Sequence, residues 1–226
     1  MSSVSRGRLL VFEGGEGAGK TTQLRRLVAR LEAAGIPHAM FREPGGTATG
    51  DRIRELLLHA DVALAPGAEV ALFIASRAQL LHEMVRPALA EGRHVLLDRY
   101  LLSTYAYQIH GRGLPEDEVR AANRLAIADL VPDLTLLLRV PVAEGLARAA
   151  QRGAADRFER ADRGFHERVL SAFDAFADPA WQSAHPECGP IVSIDAVGSE
   201  DDVEQRVLDT LNLRLPALST AAGVRA

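Results

Sequence analysis

The chain has 226 residues with 26 basic and 30 acidic side chains, a net charge of −4 and a pI near 6.0. That balance excludes a non-specific nucleic-acid binder, which carries a basic surplus, and 47% hydrophobic residues exclude a disordered chain. A single cysteine, Cys188, rules out an internal disulfide, and no run is long and apolar enough for a signal peptide or a membrane span, so a cytoplasmic protein that engages no membrane is expected.

Residues 1–7 read as an N-terminal extension. The apolar run Leu9–Glu13 predicts a strand, and a glycine-rich stretch leads from it into a helix over Thr21–Ala34 with Leu24, Leu27, Val28 and Leu31 on one face. Further strands are predicted at Pro37–Arg42, His94–Asp98, Leu134–Val140 and Ile191–Asp195, several of them apolar on successive residues, as strands buried on both faces are. Residues 99–131 hold two helical patterns around the turn His110-Gly-Arg-Gly-Leu-Pro115. Residues 145–168 carry Arg148, Arg152, Arg157, Arg160, Arg163 and Arg168 with little apolar content, which fits either a solvated helix face or a mobile segment over a ligand. A last helix is predicted over Val203–Leu215, and the small, polar residues 216–226 read as a disordered tail. The alternation predicts an α/β fold: a three-layer sandwich with a five-stranded parallel sheet between helices, forming one domain over residues 8–215.

The stretch Gly14-Gly15-Glu16-Gly17-Ala18-Gly19-Lys20-Thr21-Thr22 matches G-x-x-x-x-G-K-[ST], between a strand and a helix as a phosphate-binding loop requires. Its backbone N–H groups are expected to wrap the phosphates of ATP, Lys20 to reach the β/γ-phosphates, and Thr21 to offer its hydroxyl to Mg²⁺. Lys20 is the only lysine among the 26 basic residues. A compact ammonium fits inside a phosphate loop where a planar guanidinium does not. Asp98, at the end of a predicted strand, stands where ligands bind in open sheets, and it is the second expected Mg²⁺ residue unless it only caps a turn. All three tyrosines fall between Tyr100 and Tyr107, directly after it.

Taken together, Glu13-Gly14, Glu16-Gly-Ala-Gly-Lys-Thr-Thr22, Arg42-Glu-Pro-Gly-Gly-Thr47, Phe73-Ile-Ala-Ser-Arg77, Asp98-Arg-Tyr100 and Ser103 with Ala106-Tyr-Gln108 resemble the bacterial thymidylate kinases, in order from about residue 8 to 195. The resemblance implies a P-loop nucleoside monophosphate kinase domain, ATP and dTMP as substrates, Mg²⁺ as cofactor, and a homodimer. By resemblance Phe73 stacks on thymine, Arg77 donates to the base carbonyl, and Arg99 and Arg42 grip the acceptor phosphate. Glu16 lies near the 3′-hydroxyl, Tyr107 crowds the 2′ position, and Thr104 and Gln108 line the base pocket. Read without the resemblance, Phe73 is equally a core residue, and Val119, Ile127 and Leu130 face either the core or a partner.

Some members carry an arginine where this chain has Gly17. Members with glycine look as though they supply that charge from a lid, here about residues 148–160, so Arg148, Arg152 and Arg157 join Lys20 and Arg99 as candidate catalytic residues. A deoxynucleoside kinase, another monophosphate kinase and a non-catalytic nucleotide switch are the alternatives.

Overall fold

A computed structural model of the chain describes residues 5–58, 63–150, 157–158, 161–216 and 218. Leu9–Glu13 forms β1, and its five side chains are all buried because β1 is the middle strand of the sheet. The chain continues through α1 (Lys20–Ala33) and β2 (His38–Arg42), then α2 (Ala48–Leu58) and α3 (Pro66–Leu80). A π-helical stretch, Leu81–Val85, carries α3 into α4 (Arg86–Ala90), which leads to β3 (His94–Asp98). Next come α5 (Leu101–Thr104), a second π-helical stretch (Tyr105–Gly111), α6 (Glu116–Ile127) and β4 (Leu134–Arg139). α7 (Val142–Ala150), α8 (Arg163–Ala175), α9 (Pro179–Ala184), a 3₁₀ turn (Pro186–Cys188), β5 (Ile191–Asp195) and α10 (Glu200–Arg214) complete the described elements.

The five described strands pair in parallel in the order β2-β3-β1-β4-β5. Their side chains alternate between two apolar layers, as the two-residue period of a strand requires. Leu9 and Val11 of β1, Val95 and Leu97 of β3 and Leu137 of β4 face one layer, which holds residues of α3, α6 and α8. Leu10, Phe12, Leu96, Leu136 and Leu138 face the other, filled by Leu24, Leu27 and Leu31 of α1 and Val203, Val207, Leu208 and Leu211 of α10. Val119, Ile127 and Leu130 are buried in the first layer, which settles the sequence alternatives in favour of the core.

Helix and strand ends differ from the sequence reading for local reasons. α10 begins at Glu200 because Ser199 and Asp202 cap it reciprocally, three residues ahead of the apolar period. Pro37 has no N–H to add to the ladder, and β2 starts at His38. In the expected tail only Pro216 and Leu218 are described, and Leu218 is buried against the second layer. β1, β2 and β3 end together, with Asp98 opposite both Phe12 and Arg42, so their C-terminal ends open onto one cleft.

Candidate active site

The turn after β1 holds three of its glycines, Gly14 among them at φ +140°, in conformations other residues avoid. Gly19, before α1, has φ +84°, and Gly17 has φ +69°. A Cβ on Gly17 would stand 1.9 Å from the carbonyl oxygen of Gly145, so a side chain at this position has no room beside α7. Lys20, almost fully buried, donates from Nζ to the carbonyl oxygens of Gly14 (2.9 Å) and Gly15 (2.8 Å). Burial, helped by the nearby Arg99 charge, lowers its pKa from 10.5 to about 8. An ammonium so poorly solvated gains strongly from an arriving polyphosphate.

Thr21 donates from Oγ1 to Asp98 Oδ2 at 2.7 Å, joining the loop to the end of β3. A hydroxyl and a carboxylate are hard oxygen donors. They fit Mg²⁺, which takes few protein ligands and keeps water and phosphate oxygens for the rest.

A cavity of about 330 Å³ opens beside Lys20 and Thr21 and extends past Arg99 and Tyr107 to Phe73 and Arg77. Its near wall is the turn Asp98-Arg99-Tyr100, where Arg99 takes φ +70°. Glu13, a fully buried acid at the end of β1, holds that turn: Oε1 accepts from the N–H of Tyr100 (2.7 Å) and Ser103 (3.0 Å), and Oε2 accepts from Ser103 Oγ (2.7 Å). Arg99 is thereby aimed at Glu16, to which it donates at 2.7 Å, and its guanidinium lies 5.2 Å from the centre of the Tyr107 ring. Tyr107 donates its hydroxyl to the same Glu16 oxygen at 2.7 Å. Burial works against the Arg99 charge, but Tyr107, Glu16, Asp98 and Glu13 outweigh it and raise its pKa. Burial likewise pushes the Tyr107 phenol well up, so it remains a neutral donor.

The far end of the cavity is organised around Arg77, which is only 2% exposed. Its Nε donates to Glu43 Oε2 (2.8 Å), and one terminal nitrogen stands 2.7 Å from the same oxygen in an ion pair while donating to the Tyr100 carbonyl (2.8 Å). The other terminal nitrogen donates to Thr104 Oγ1 (3.0 Å) and to Asn123. Every nitrogen of the guanidinium is engaged and four of its five N–H groups donate, so little of Arg77 is left to donate to a base without one of these bonds exchanging. Phe73 packs against the core and also lines the cavity. Gln108 lines the cavity and donates to Glu69 at 3.1 Å. Arg42 stands exposed at the rim and makes no side-chain hydrogen bond among the described residues.

The arginine-rich segment divides. Arg148 donates to the Ala196 carbonyl (3.1 Å) and pairs with Glu144, and it lines a second cavity of about 360 Å³ with Gly17, Ala18, Gly19 and Thr22 on the opposite side of the loop. Arg157 turns to the first cavity's outer wall and donates to Glu69 at 2.7 Å. Arg163 pairs with Glu167 in solvent, and Arg168 donates to the Gly111 carbonyl. Arg152 and Arg160 lie outside the described residues.

Sequence reasoning named the arginines and Glu16 and gave no role to the other acids that hold them. Glu13 carried a signal, an acid closing an apolar strand, while Glu43 sat unremarked beside Arg42. Nothing local marked Glu69, Asn123 or Phe158.

A family model described as thymidylate kinase matches residues 12–206. Three bacterial proteins called thymidylate kinase are similar over most of their length. That of Deinococcus radiodurans is 46% identical over 204 residues, covering 90% of this chain and 96% of the relative. That of Pseudomonas fluorescens is 46% identical over 216 residues, covering 94% and 98%. That of Thermomicrobium roseum is 50% identical over 194 residues, covering 83% and 91%.

Proposed function

This chain belongs to the thymidylate kinase family, and from that premise we propose that it transfers the γ-phosphoryl group of ATP to dTMP, giving dTDP and ADP. The observation that carries the reading is the pair of cavities flanking one phosphate loop, with Lys20, Thr21 and Arg99 lining the one that receives the acceptor. The donor phosphates lie along the loop from Gly14 to Thr22, with the nucleoside in the cavity beside Arg148.

The acceptor needs no strong base. A phosphate monoester has a second pKa of about 6, so its attacking oxygen is already largely anionic at neutral pH. The chain's task is to align two polyanions and to neutralise charge on the oxygens of the transferring group. Arg99 exchanges its contact with Glu16 for the acceptor phosphate, and Glu16 and Tyr107 then face the sugar. Phe73, Arg77, Thr104 and Gln108 surround the base, and Arg42 approaches the phosphate from the rim. Lys20 follows the γ-phosphate, with Arg148 and Arg152 as further cations, while Arg157, bonded to Glu69, stands at the wall of the acceptor cavity. Thr21 and Asp98 would hold Mg²⁺, which would supply charge neutralisation to the ATP phosphates.

A homodimer working in the cytoplasm completes the reading. Its support is the family together with exposed Leu56 on α2 and Leu125 on α6, the helices that flank α3, with Leu125 89% exposed. Among the described residues no helix is long and apolar enough to cross a membrane.

The test is ADP release with ATP and Mg²⁺ over a panel of dTMP, dUMP, dCMP, dGMP, AMP and thymidine. Preference for dTMP is expected. Faster turnover of thymidine would replace the reading with a nucleoside kinase, and ATP binding without acceptor-dependent ADP release would leave a nucleotide switch.

A further inference from the structure

Glu69 is 1% exposed in the first turn of α3, one helical turn before Phe73, and it does not itself line the acceptor cavity. Three side chains converge on it. Gln108 donates to Oε1 at 3.1 Å, Arg112 donates to both oxygens at 3.1 Å each, and Arg157 donates to Oε2 at 2.7 Å. Both arginines also lie against the ring of Phe158, with guanidinium carbons 5.5 Å and 5.1 Å from its centre. Phe158 is buried, lines the cavity, and meets Phe73 edge-on at 5.7 Å and Tyr107 at 6.0 Å. One carboxylate therefore neutralises the two cations that bracket an aromatic wall of the pocket, and it orients Gln108 in the same wall.

We propose that Glu69 is a positioning residue for the acceptor base: through Arg157 and Arg112 it holds Phe158 edge-on against Phe73, and through its bond to Gln108 it fixes the neighbouring amide. The proposal rests on the reading of this cavity as the dTMP site. The physical argument is charge balance. Without the carboxylate, two guanidinium groups share one aromatic ring with no anion between them, and like charges in a poorly solvated place separate. Arg157 is the freer of the two, because Arg112 also packs on Phe165 at 4.7 Å. Arg157 thus serves the pocket wall and leaves charge on the transferring phosphoryl group to other cations.

The experiment is steady-state kinetics on Glu69→Gln and Arg157→Gln, varying dTMP and ATP separately. For both variants KM for dTMP is expected to rise tenfold or more, on the order of the loss of one buried charge-assisted contact, with kcat changed less than about threefold and KM for ATP unchanged. Glu69→Asp should recover part of the loss, and the double variant should be no worse than Glu69→Gln. If Glu69→Gln does not fold, Arg157→Gln decides alone, since Glu69 keeps Arg112. A KM for dTMP within twofold of the wild type, an equal rise in KM for ATP, or a fall in kcat at unchanged KM in Arg157→Gln would overturn the proposal. Wild-type turnover in the acceptor panel tests the cavity's substrate separately; if another monophosphate is preferred, the same comparison is made with that acceptor.

Discussion

The donor loop and the acceptor cavity share a wall and are built by opposite means. The loop is local: Lys20 bonds to carbonyls five and six residues back, and the sharp turns are made by glycine backbone. The cavity is assembled from pairs distant in sequence, each an acid holding a cation or an N–H group: Glu43 with Arg77, Glu16 with Arg99, Glu13 with the Tyr100 turn, and Glu69 with Arg157, 88 residues away. A phosphate needs only inward N–H groups and one mobile ammonium, and one continuous stretch supplies them. A nucleoside needs walls on several sides, and only tertiary structure brings those together.

Breaking a pair on each side separates the two designs. On the acceptor side, Arg77→Met leaves Glu43 buried beside an apolar side chain. Removing one partner of a buried pair costs about 3–5 kcal/mol, which urea unfolding will show as a lower midpoint at similar slope. Arg77→Met combined with Glu43→Leu should recover a large part of that loss while leaving dTMP binding impaired. On the donor side, Lys20→Met should not lower the unfolding free energy, because the depressed pKa means that the fold disfavours the ammonium. The function suffers instead. Lys20→Arg keeps the charge and changes its shape, and kcat should fall by about 10²-fold or more, with KM for dTMP nearly unchanged. Wild-type kcat in Lys20→Arg would mean that the lone lysine is an accident of composition.

Between the halves stands Asp98, bonded to Thr21 and adjacent to Arg99. Asp98→Asn keeps a hydrogen-bond acceptor and loses the charge, so the Mg²⁺ concentration giving half-maximal rate should rise about tenfold or more. KM for dTMP should move less, and a Mg²⁺ dependence equal to the wild type would assign Asp98 to the turn alone.

The same contrast explains what was legible in the sequence. β1, the loop and α1 follow each other without a break, so composition, spacing and period point to one answer there. The parallel sheet was legible because β1, β3 and β4 are apolar on successive residues, which only strands covered on both faces tolerate. The acceptor cavity was legible as a set of residue types and not as a set of contacts. Arg77 looks the same in sequence whether its N–H groups face a base or face Glu43, Thr104, Asn123 and the Tyr100 carbonyl. Arg148 and Arg157, nine positions apart in one arginine-rich run, take different partners: Arg148 on α7 donates to the Ala196 carbonyl and Arg157 donates to Glu69. The π-helical stretch that presents Tyr107 and Gln108 has no sequence signature of its own.

A third kind of pairing sets the lower bound of the comparison. Glu204 of α10 accepts from Arg30 (2.7 Å) and Arg26 (2.9 Å) of α1, and none of the three lines either cavity. The Arg30 hydrogen bond, then that of Arg26, holds the Glu204 pKa below its ordinary 4.5 against the opposing effect of burial. A carboxyl lowered in the fold contributes stability that is present above pH 4.5 and is lost as pH falls through the lowered value. The arginine side chains are 30% and 43% exposed, so solvent screens the pair and Glu204→Gln should cost about 1 kcal/mol or less near neutral pH. Unfolding curves of wild type and variant should converge in acid, with kcat and both KM values unchanged at pH 7. A kinetic change in Glu204→Gln would mean that the α1–α10 clasp reaches the loop at the head of α1, and the donor side would then be less local than its contacts make it.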